Sequence, residues 1–169
     1  MKKLLCIGLA AVFCLAMTAC GVDNTKETSS PSSGTVSTPE VQVSEDDYED
    51  TLDGLEQYLT AKGAISGDPQ IVRSEYIGAD DGDRFVIAFE NATVTIELYS
   101  YTLDNLNDTA KEVLDSVKET GKFTIFGTEA QALLSNNGKY LMIYTSTSTD
   151  ETQTAHRQSV EKLFQEFKA

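Results

Sequence analysis

All three cysteines of this chain, Cys6, Cys14 and Cys20, lie within its first twenty residues. The residues that follow contain no thiol that could form a disulfide, bind a metal or act as a catalytic nucleophile. A domain built from them must therefore be stabilised by its apolar core alone, because no covalent cross-link is available.

The N-terminal segment has the composition of an export signal. Lys2 and Lys3 form a positive n-region, residues 4–17 form an apolar stretch, and small residues follow. The stretch is short for a permanent span, since a membrane-crossing helix needs about 20 apolar residues. We therefore predict a signal peptide over residues 1–19. An ordinary secretory signal, cut without modification of Cys20, is the alternative.

The end of this segment, Met17-Thr18-Ala19-Cys20-Gly21, resembles the bacterial lipobox, although leucine is more usual than Met17 at its position. The resemblance implies cleavage between Ala19 and Cys20 and a diacylglyceryl thioether on Cys20. Two acyl chains on one residue would supply the two hydrophobic attachments that stable anchoring takes. The resemblance thus predicts a lipoprotein on the outer face of the cytoplasmic membrane, which labelled palmitate would mark at Cys20.

The segment 20–46 is rich in serine, threonine and proline and has almost no large apolar residue. It cannot bury enough apolar surface to offset its ordering entropy, so we predict a disordered tether. A flexible chain of this length spans roughly 25–30 Å. The alternative is that part of it adds a strand to the folded domain, which we predict as a single unit over residues 47–169.

The chain is strongly acidic. Its formal net charge is −14, and loss of Lys2 and Lys3 with the signal would leave −16. Every charged residue from Glu40 to Glu56 is acidic. Because nucleic acid repels such a chain, no nucleic-acid partner is expected. The acidic run favours either a patch for a cation or a basic partner, or mere solubility with carboxylates near a helix start.

Apolar periodicity and turn signals predict an α+β domain. The expected order is helix, helix, hairpin, helix, strands, helix, with a mainly antiparallel sheet of about four to five strands packed against helices. Residues 68–78 fit either a short helix or a strand. Asn136-Asn137-Gly138 is the strongest hairpin signal, because Asn-Gly suits positive φ at both turn residues. The other predicted elements are a helix over about 48–62, a hairpin of 84–90 with 93–101, a helix over 108–120, strands over 122–127, 130–135 and 139–146, and a helix over 151–168.

Signals for catalysis are close to absent. His156 is the only histidine, and its polar neighbours predict a solvated position on a helical turn. Without a second histidine, or a thiol after residue 20, transition-metal and Cys/His chemistry lack supporting residues. No nucleophile elbow or glycine-rich phosphate loop occurs in the sequence. We therefore predict no catalytic, cofactor-binding or metal-binding residue, and a role other than that of an enzyme.

Two clusters of polar or aromatic side chains each have a functional and a structural interpretation. Asp80-Asp81-Gly82-Asp83 predicts a turn, and an EF-hand loop with Gly82 in sixth place would put Ile77, Ala79 and Ala88 at ligand positions that need oxygen side chains. A looser cation site at Asp80–Asp83 stays open beside a plain turn. Four tyrosines on predicted strands fit either an exposed platform for peptide or sugar, or half-buried sheet positions. They are Tyr99, Tyr101, Tyr140 and Tyr144.

Three stretches resemble a family of small clostridial-type Firmicutes lipoproteins that carry an N-terminal lipobox. They are Ile77-Gly78-Ala79 with Gly82-Asp83-Arg84, then Val94 to Tyr99, and then Asn137 to Tyr140. The resemblance carries over no activity, because none is attached to that family. We expect a membrane-anchored module that binds an envelope or extracellular protein. A small-ligand-binding or transporter-accessory lipoprotein is the alternative, although the chain is far too short for a two-lobed solute-binding protein.

Overall fold

A computed structural model describes residues 43–169. The α-helices are α1 (Leu52–Ala61), α2 (Asp108–Thr120) and α3 (Glu151–Glu166). The strands are β1 (Gln70–Ile71), β2 (Asp81–Phe89), β3 (Ala92–Ser100), β4 (Lys122–Ile125), β5 (Thr128–Gln131), β6 (Leu133–Leu134) and β7 (Tyr140–Ser146). Short 3-10 helices cover Glu45–Asp47, Ser74–Ile77 and Leu103–Asn105. The predicted signal peptide, Cys20 and most of the predicted tether lie outside the described residues.

The strands form one five-stranded antiparallel sheet and one separate hairpin. The sheet has the order β1-β2-β3-β7-β6, and β4 pairs with β5 alone. Its centre is the long β2–β3 hairpin, in which Phe85 lies opposite Ile96, and Ile96 lies opposite Tyr144 of β7. The predicted α+β class, with a mainly antiparallel sheet packed against helices, is confirmed. None of the helices within residues 43–169 is both long and apolar enough to cross a bilayer.

Each face of the sheet is covered by helices, because strand residues alternate between the two faces. One core lies between the sheet and the helices α1 and α3; Leu55, Ile96 and Phe164 are completely buried there. The second core lies on the opposite face against α2, and includes Tyr99 and Leu141. Full burial of each large apolar side chain stabilises the fold by roughly 1.5–3 kcal/mol.

Local caps set the helix boundaries. The Asn107 side chain accepts a hydrogen bond from the Ala110 N–H at 2.8 Å and starts α2, and Gly121, with φ of 71°, ends it. The prediction for α2 is therefore confirmed at both ends. The first helix begins later than predicted, because Ser44 caps only the 3-10 helix Glu45–Asp47 and the Thr51 side chain caps α1.

Three predictions within the sheet need correction. Residues 68–78 contain both a strand, β1, and a 3-10 helix that Gly78 ends. Residues 130–135 are divided, because β5 pairs with β4 whereas β6 pairs with β7. The turn predicted at Asp80–Asp83 is largely the start of β2, where Gly82 lies opposite Tyr99. A Cβ on Gly82 would lie 2.6 Å from Tyr99 Cδ1, so the aromatic ring needs glycine at this position.

Candidate functional site

The tip of the β4–β5 hairpin presents an exposed aromatic side chain. Phe126 and Gly127 form its two-residue turn and have φ of 49° and 77°. Turns with two positive φ values favour Asn, Asp and Gly, and a left-handed backbone costs other residues roughly 1 kcal/mol. Phe126 is 79% exposed, so it offsets little of this cost by burial. Its presence is unfavourable for the local fold.

Phe126 meets a second exposed aromatic residue, Tyr76, from the 3-10 helix Ser74–Ile77. The two rings pack edge to face with their centroids 4.9 Å apart. Arg73 Nη1 donates a hydrogen bond to the Tyr76 hydroxyl at 3.1 Å, and the guanidinium carbon lies 5.8 Å from the Tyr76 ring centroid. We call Arg73, Tyr76 and Phe126 the Phe126 surface. It combines two aromatic rings and one cation on the outside of an acidic molecule.

An acidic groove of about 660 Å³ lies where the start of α1 meets the start of β2 and the end of β3. Its only basic residue, Lys139, binds the carboxylate of Asp50, which also accepts a hydrogen bond from the Tyr140 hydroxyl at 2.8 Å. Burial alone would raise the pKa of Asp50, but these two partners outweigh it and lower that pKa. The acidic members of the groove are Asp50, Asp53, Asp80, Asp81 and Asp104.

These carboxylates do not form a metal site. Across residues 43–169, no three His, Cys, Asp or Glu side chains are placed to hold a metal ion together. Asp80 is engaged by the main chain, because its Oδ2 accepts the Thr102 N–H at 2.5 Å. Asp83 belongs instead to the α1 side of the sheet, where its charge acts on Glu56. Of the aspartates of the predicted cation site, Asp80 is thus held by the main chain, whereas Asp81 and Asp83 share one face of β2 and both act on Glu56.

Glu56 and Asp83 form an acidic pair between α1 and β2. Glu56 Oε1 is buried and makes no hydrogen bond within the described residues. Burial first, and then the negative charges of Asp83, Asp53 and Asp81, raise the pKa of Glu56 to about 8. Neither carboxyl lines any of the grooves described here. The pair therefore lies partly buried between α1 and β2, outside the grooves described here.

His156 is not the solvated side chain predicted from its polar neighbours. Its ring stacks on Phe89 with centroids 3.9 Å apart, and its Nδ1 lies 2.8 Å from the Tyr144 hydroxyl. Burial lowers the pKa of His156. The polar residues around His156 could not predict this position, because its aromatic partners come from β2 and β7.

The four strand tyrosines do not form an exposed platform. Each is at most 6% exposed. The Tyr99 hydroxyl donates to Glu97 Oε2 at 2.7 Å, and the Tyr101 hydroxyl donates to the Ile77 carbonyl at 3.3 Å. Burial accordingly raises the pKa of both phenols. Their hydroxyl groups are used within the fold and not for binding from outside.

A second groove, of about 430 Å³, lies between β5, the free end of β7 and the first turns of α3. Gln153 at its base is 2% exposed, and its Nε2 donates to the Phe89 carbonyl at 2.9 Å. We call this the β7-edge groove. Its lining residues include Ala130, Gln131, Ile143, Tyr144, Thr145, Ser146, Gln153, Thr154 and Arg157.

No protein-family model matches this chain, and neither a curated protein nor a solved structure is significantly similar to it. The resemblance to the Firmicutes lipoproteins therefore stays a prediction. Sequence patterns missed the Phe126 surface, because Phe126 and Tyr76 belong to separate elements that only the fold brings together. The one local signal is the Phe126-Gly127 pair between two strand-forming runs.

Proposed function

We propose that this protein is a membrane-anchored extracytoplasmic lipoprotein whose domain binds another envelope or extracellular protein without catalysis. The observation that carries the interaction role is Phe126, a large apolar side chain that is exposed in a backbone conformation unfavourable to it. A contact outside the molecule would account for a large apolar residue that is held in a strained backbone conformation and left exposed.

The composition of the Phe126 surface fits a protein partner. Aromatic residues and arginine are enriched among the residues that dominate protein–protein binding energy. Here the Tyr76 and Phe126 rings already hold each other at 4.9 Å, so little of their side-chain freedom remains to be lost on binding. Among residues 43–169, Arg73 contacts only Tyr76 and, at 4.0 Å, Glu75, so its charge can reach a carboxylate on the partner.

The anchor is proposed from the lipobox resemblance at Cys20. A tether of roughly 25–30 Å would hold the domain close to the membrane while allowing it to turn toward a neighbour. Labelled palmitate should be incorporated into the wild-type protein and not into Cys20→Ala. Equal incorporation by the two proteins, or none by either, would remove the lipid anchor from the proposal.

Crosslinking on intact cells tests the interaction role. A photoreactive phenylalanine analogue replaces Phe126, and in a matched control it replaces Val86, another exposed apolar residue, which is 49% exposed. We expect a discrete crosslinked protein from position 126 and a much weaker product from position 86. Equal products from both positions, or none from position 126, would contradict a specific partner at the Phe126 surface.

A small-ligand-binding or transporter-accessory role is the alternative. The β7-edge groove supports it, because apolar and polar side chains line it together, among them Ile143 and Gln153. Thermal-shift screening of small metabolites tests this role. A tight small ligand, together with no crosslinked protein at position 126, would favour the alternative.

A further inference from the structure

The main-chain N–H and C=O groups of successive β7 residues point alternately to the two sides of the strand. The Lys139 carbonyl accepts a hydrogen bond from the Tyr101 N–H, and the Thr147 N–H donates to the Thr93 carbonyl. The main-chain groups of the odd-numbered residues therefore face β3. The Tyr140 carbonyl accepts from Ser135, so the even-numbered residues face the opposite edge. Because an antiparallel strand repeats this alternation, the N–H and C=O groups of Tyr144 and Ser146 also face that outer edge.

No strand pairs with the outer edge at these two residues within the described part of the chain. β6 pairs with β7 only where Leu133 lies opposite Met142 and Leu134 lies opposite Leu141. β5 comes close to β7 but pairs with β4, and the Ala132 N–H between β5 and β6 donates to the Gly121 carbonyl. Within residues 43–169, the outward main-chain groups of Tyr144 and Ser146 therefore have no paired strand.

The space beside this free edge is the β7-edge groove. Tyr144 and Ser146 line it, β5 bounds one side, and Gln153 and Thr154 of α3 bound the other. Natural sheet edges are usually protected by lysine, proline or a covering element. The edge residues Ile143–Ser146 include no charged residue and no proline. An open strand edge with a flanking helix is the geometry in which an extended peptide is added to a sheet.

We propose that the β7-edge groove binds an uncharged, extended segment of another protein, which adds a strand to the sheet through the main-chain groups of Tyr144 and Ser146. The charges argue for an uncharged occupant. The two charged side chains at the groove are already paired within the molecule, Glu129 with Lys122 at 2.7 Å and Arg157 with Glu161 at 2.6 Å. A charged segment would find no free counter-charge there.

The proposal does not depend on the Phe126 surface, so either can fail alone. The test uses the full chain in detergent micelles and an uncharged heptapeptide of alternating threonine and valine. Amide hydrogen exchange is followed by NMR. The peptide should slow exchange at Tyr144 and Ser146 by roughly tenfold or more, because their amides become hydrogen-bonded. The same peptide with N-methyl groups on alternate amides should have no effect.

Two tryptophan variants complete the test. Thr154→Trp places a large side chain on an exposed residue that lines the groove, and Thr152→Trp places it on an exposed residue of the same helix that does not. Protection should be lost in Thr154→Trp and kept in Thr152→Trp. The proposal is overturned by no protection at saturating peptide or by equal loss in both variants. It is also overturned by protection around Val86 instead, where β2 extends beyond its pairing with β1 at Asp83 and Arg84. Protection that grows with protein concentration alone would indicate a second copy and would overturn it too.

Discussion

Glu56 of α1 and Asp83 of β2 form a carboxyl pair that holds a proton at neutral pH. Asp83, Asp53 and Asp81, the charged groups that act most strongly on Glu56, are all acidic, and each adds to the effect of burial. Burial also raises the pKa of Asp83, although its hydrogen bond with Glu56 opposes that rise. Glu56 is therefore the member of the pair that keeps its proton to the higher pH.

This pair makes stability depend on pH. Because the pKa of Glu56 is raised from 4.5 to about 8 in the folded protein, its proton stabilises the fold fully below pH 4.5, and the contribution is lost as the pH rises through 8. Glu56→Gln keeps a neutral group at all pH values. We expect it to be more stable than wild type at pH 8 by roughly 1–2 kcal/mol, after allowance for solvent screening, and nearly equal at pH 4.5.

Urea unfolding at the two pH values measures this difference. Glu112→Gln, which neutralises an exposed glutamate of α2, is the matched control and should shift stability little and equally at both pH values. A Glu56→Gln effect of the same size at pH 4.5 and pH 8 would show that the raised pKa does not govern stability.

Alanine substitutions at Gly78 and Gly121 separate the cost of close packing from the cost of backbone strain, since both glycines have φ of 71°. A Cβ on Gly78 would lie 2.4 Å from the Ala110 nitrogen, whereas a Cβ on Gly121 would have no neighbour within 4 Å. We expect Gly121→Ala to cost roughly 1 kcal/mol for the left-handed backbone, and Gly78→Ala about 3 kcal/mol or more. Chemical denaturation compares the two; equal losses would refute close contact between Gly78 and the start of α2.

The ring signals of His156 can be followed without ambiguity in an NMR titration, because it is the only histidine. Burial against Phe89 lowers its pKa from 6.5, so the fold should lose stability as the pH falls below 6.5 through that lowered value. An NMR titration of the ring should give a midpoint below 6.5 in the folded protein and near 6.5 in concentrated urea. A folded-state midpoint at or above 6.5 would contradict the half-buried position against Phe89.

The parts of the fold that sequence patterns predicted well are those with local causes. Asn107 and Gly121 lie at the two ends of α2, and each acts through bonds within one or two helical turns. Gly82 shows the opposite case. In sequence it sits among aspartates and suggests a turn, but it belongs to β2 because the Tyr99 ring covers it from the next strand. No local pattern contains that contact.

The candidate sites could not be predicted from the sequence for the same reason. Glu56 and Asp83 come from α1 and β2, and Tyr76 and Phe126 come from a 3-10 helix and a hairpin turn, so each pair exists only after the chain has folded. The strand tyrosines are a further case. The sequence fits either an exposed platform or half-buried positions, because the helices that bury both faces of the sheet are fixed by the tertiary packing.

The Phe126→Asn variant distinguishes the effect of Phe126 on the stability of the fold from its proposed role in binding a partner. Asparagine before Gly127 suits a turn in which both residues have positive φ, which favours the variant by roughly 1 kcal/mol. Loss of the ring contact with Tyr76 opposes this gain by roughly 0.5–1.5 kcal/mol, so the variant should be as stable as wild type to within about 1 kcal/mol. Thermal unfolding of both proteins measures this difference. A larger loss of stability in the variant would mean that Phe126 supports the fold itself.

The most direct measurement of the proposed role is the yield of the crosslinked neighbour on intact cells, compared between wild type and Phe126→Asn after general crosslinking. Because the substitution removes the aromatic side chain while the turn is kept, the account predicts a loss of roughly tenfold or more, as for a residue that dominates an interface. An unchanged yield from a stably folded Phe126→Asn protein would contradict the claim that the Phe126 surface binds a partner.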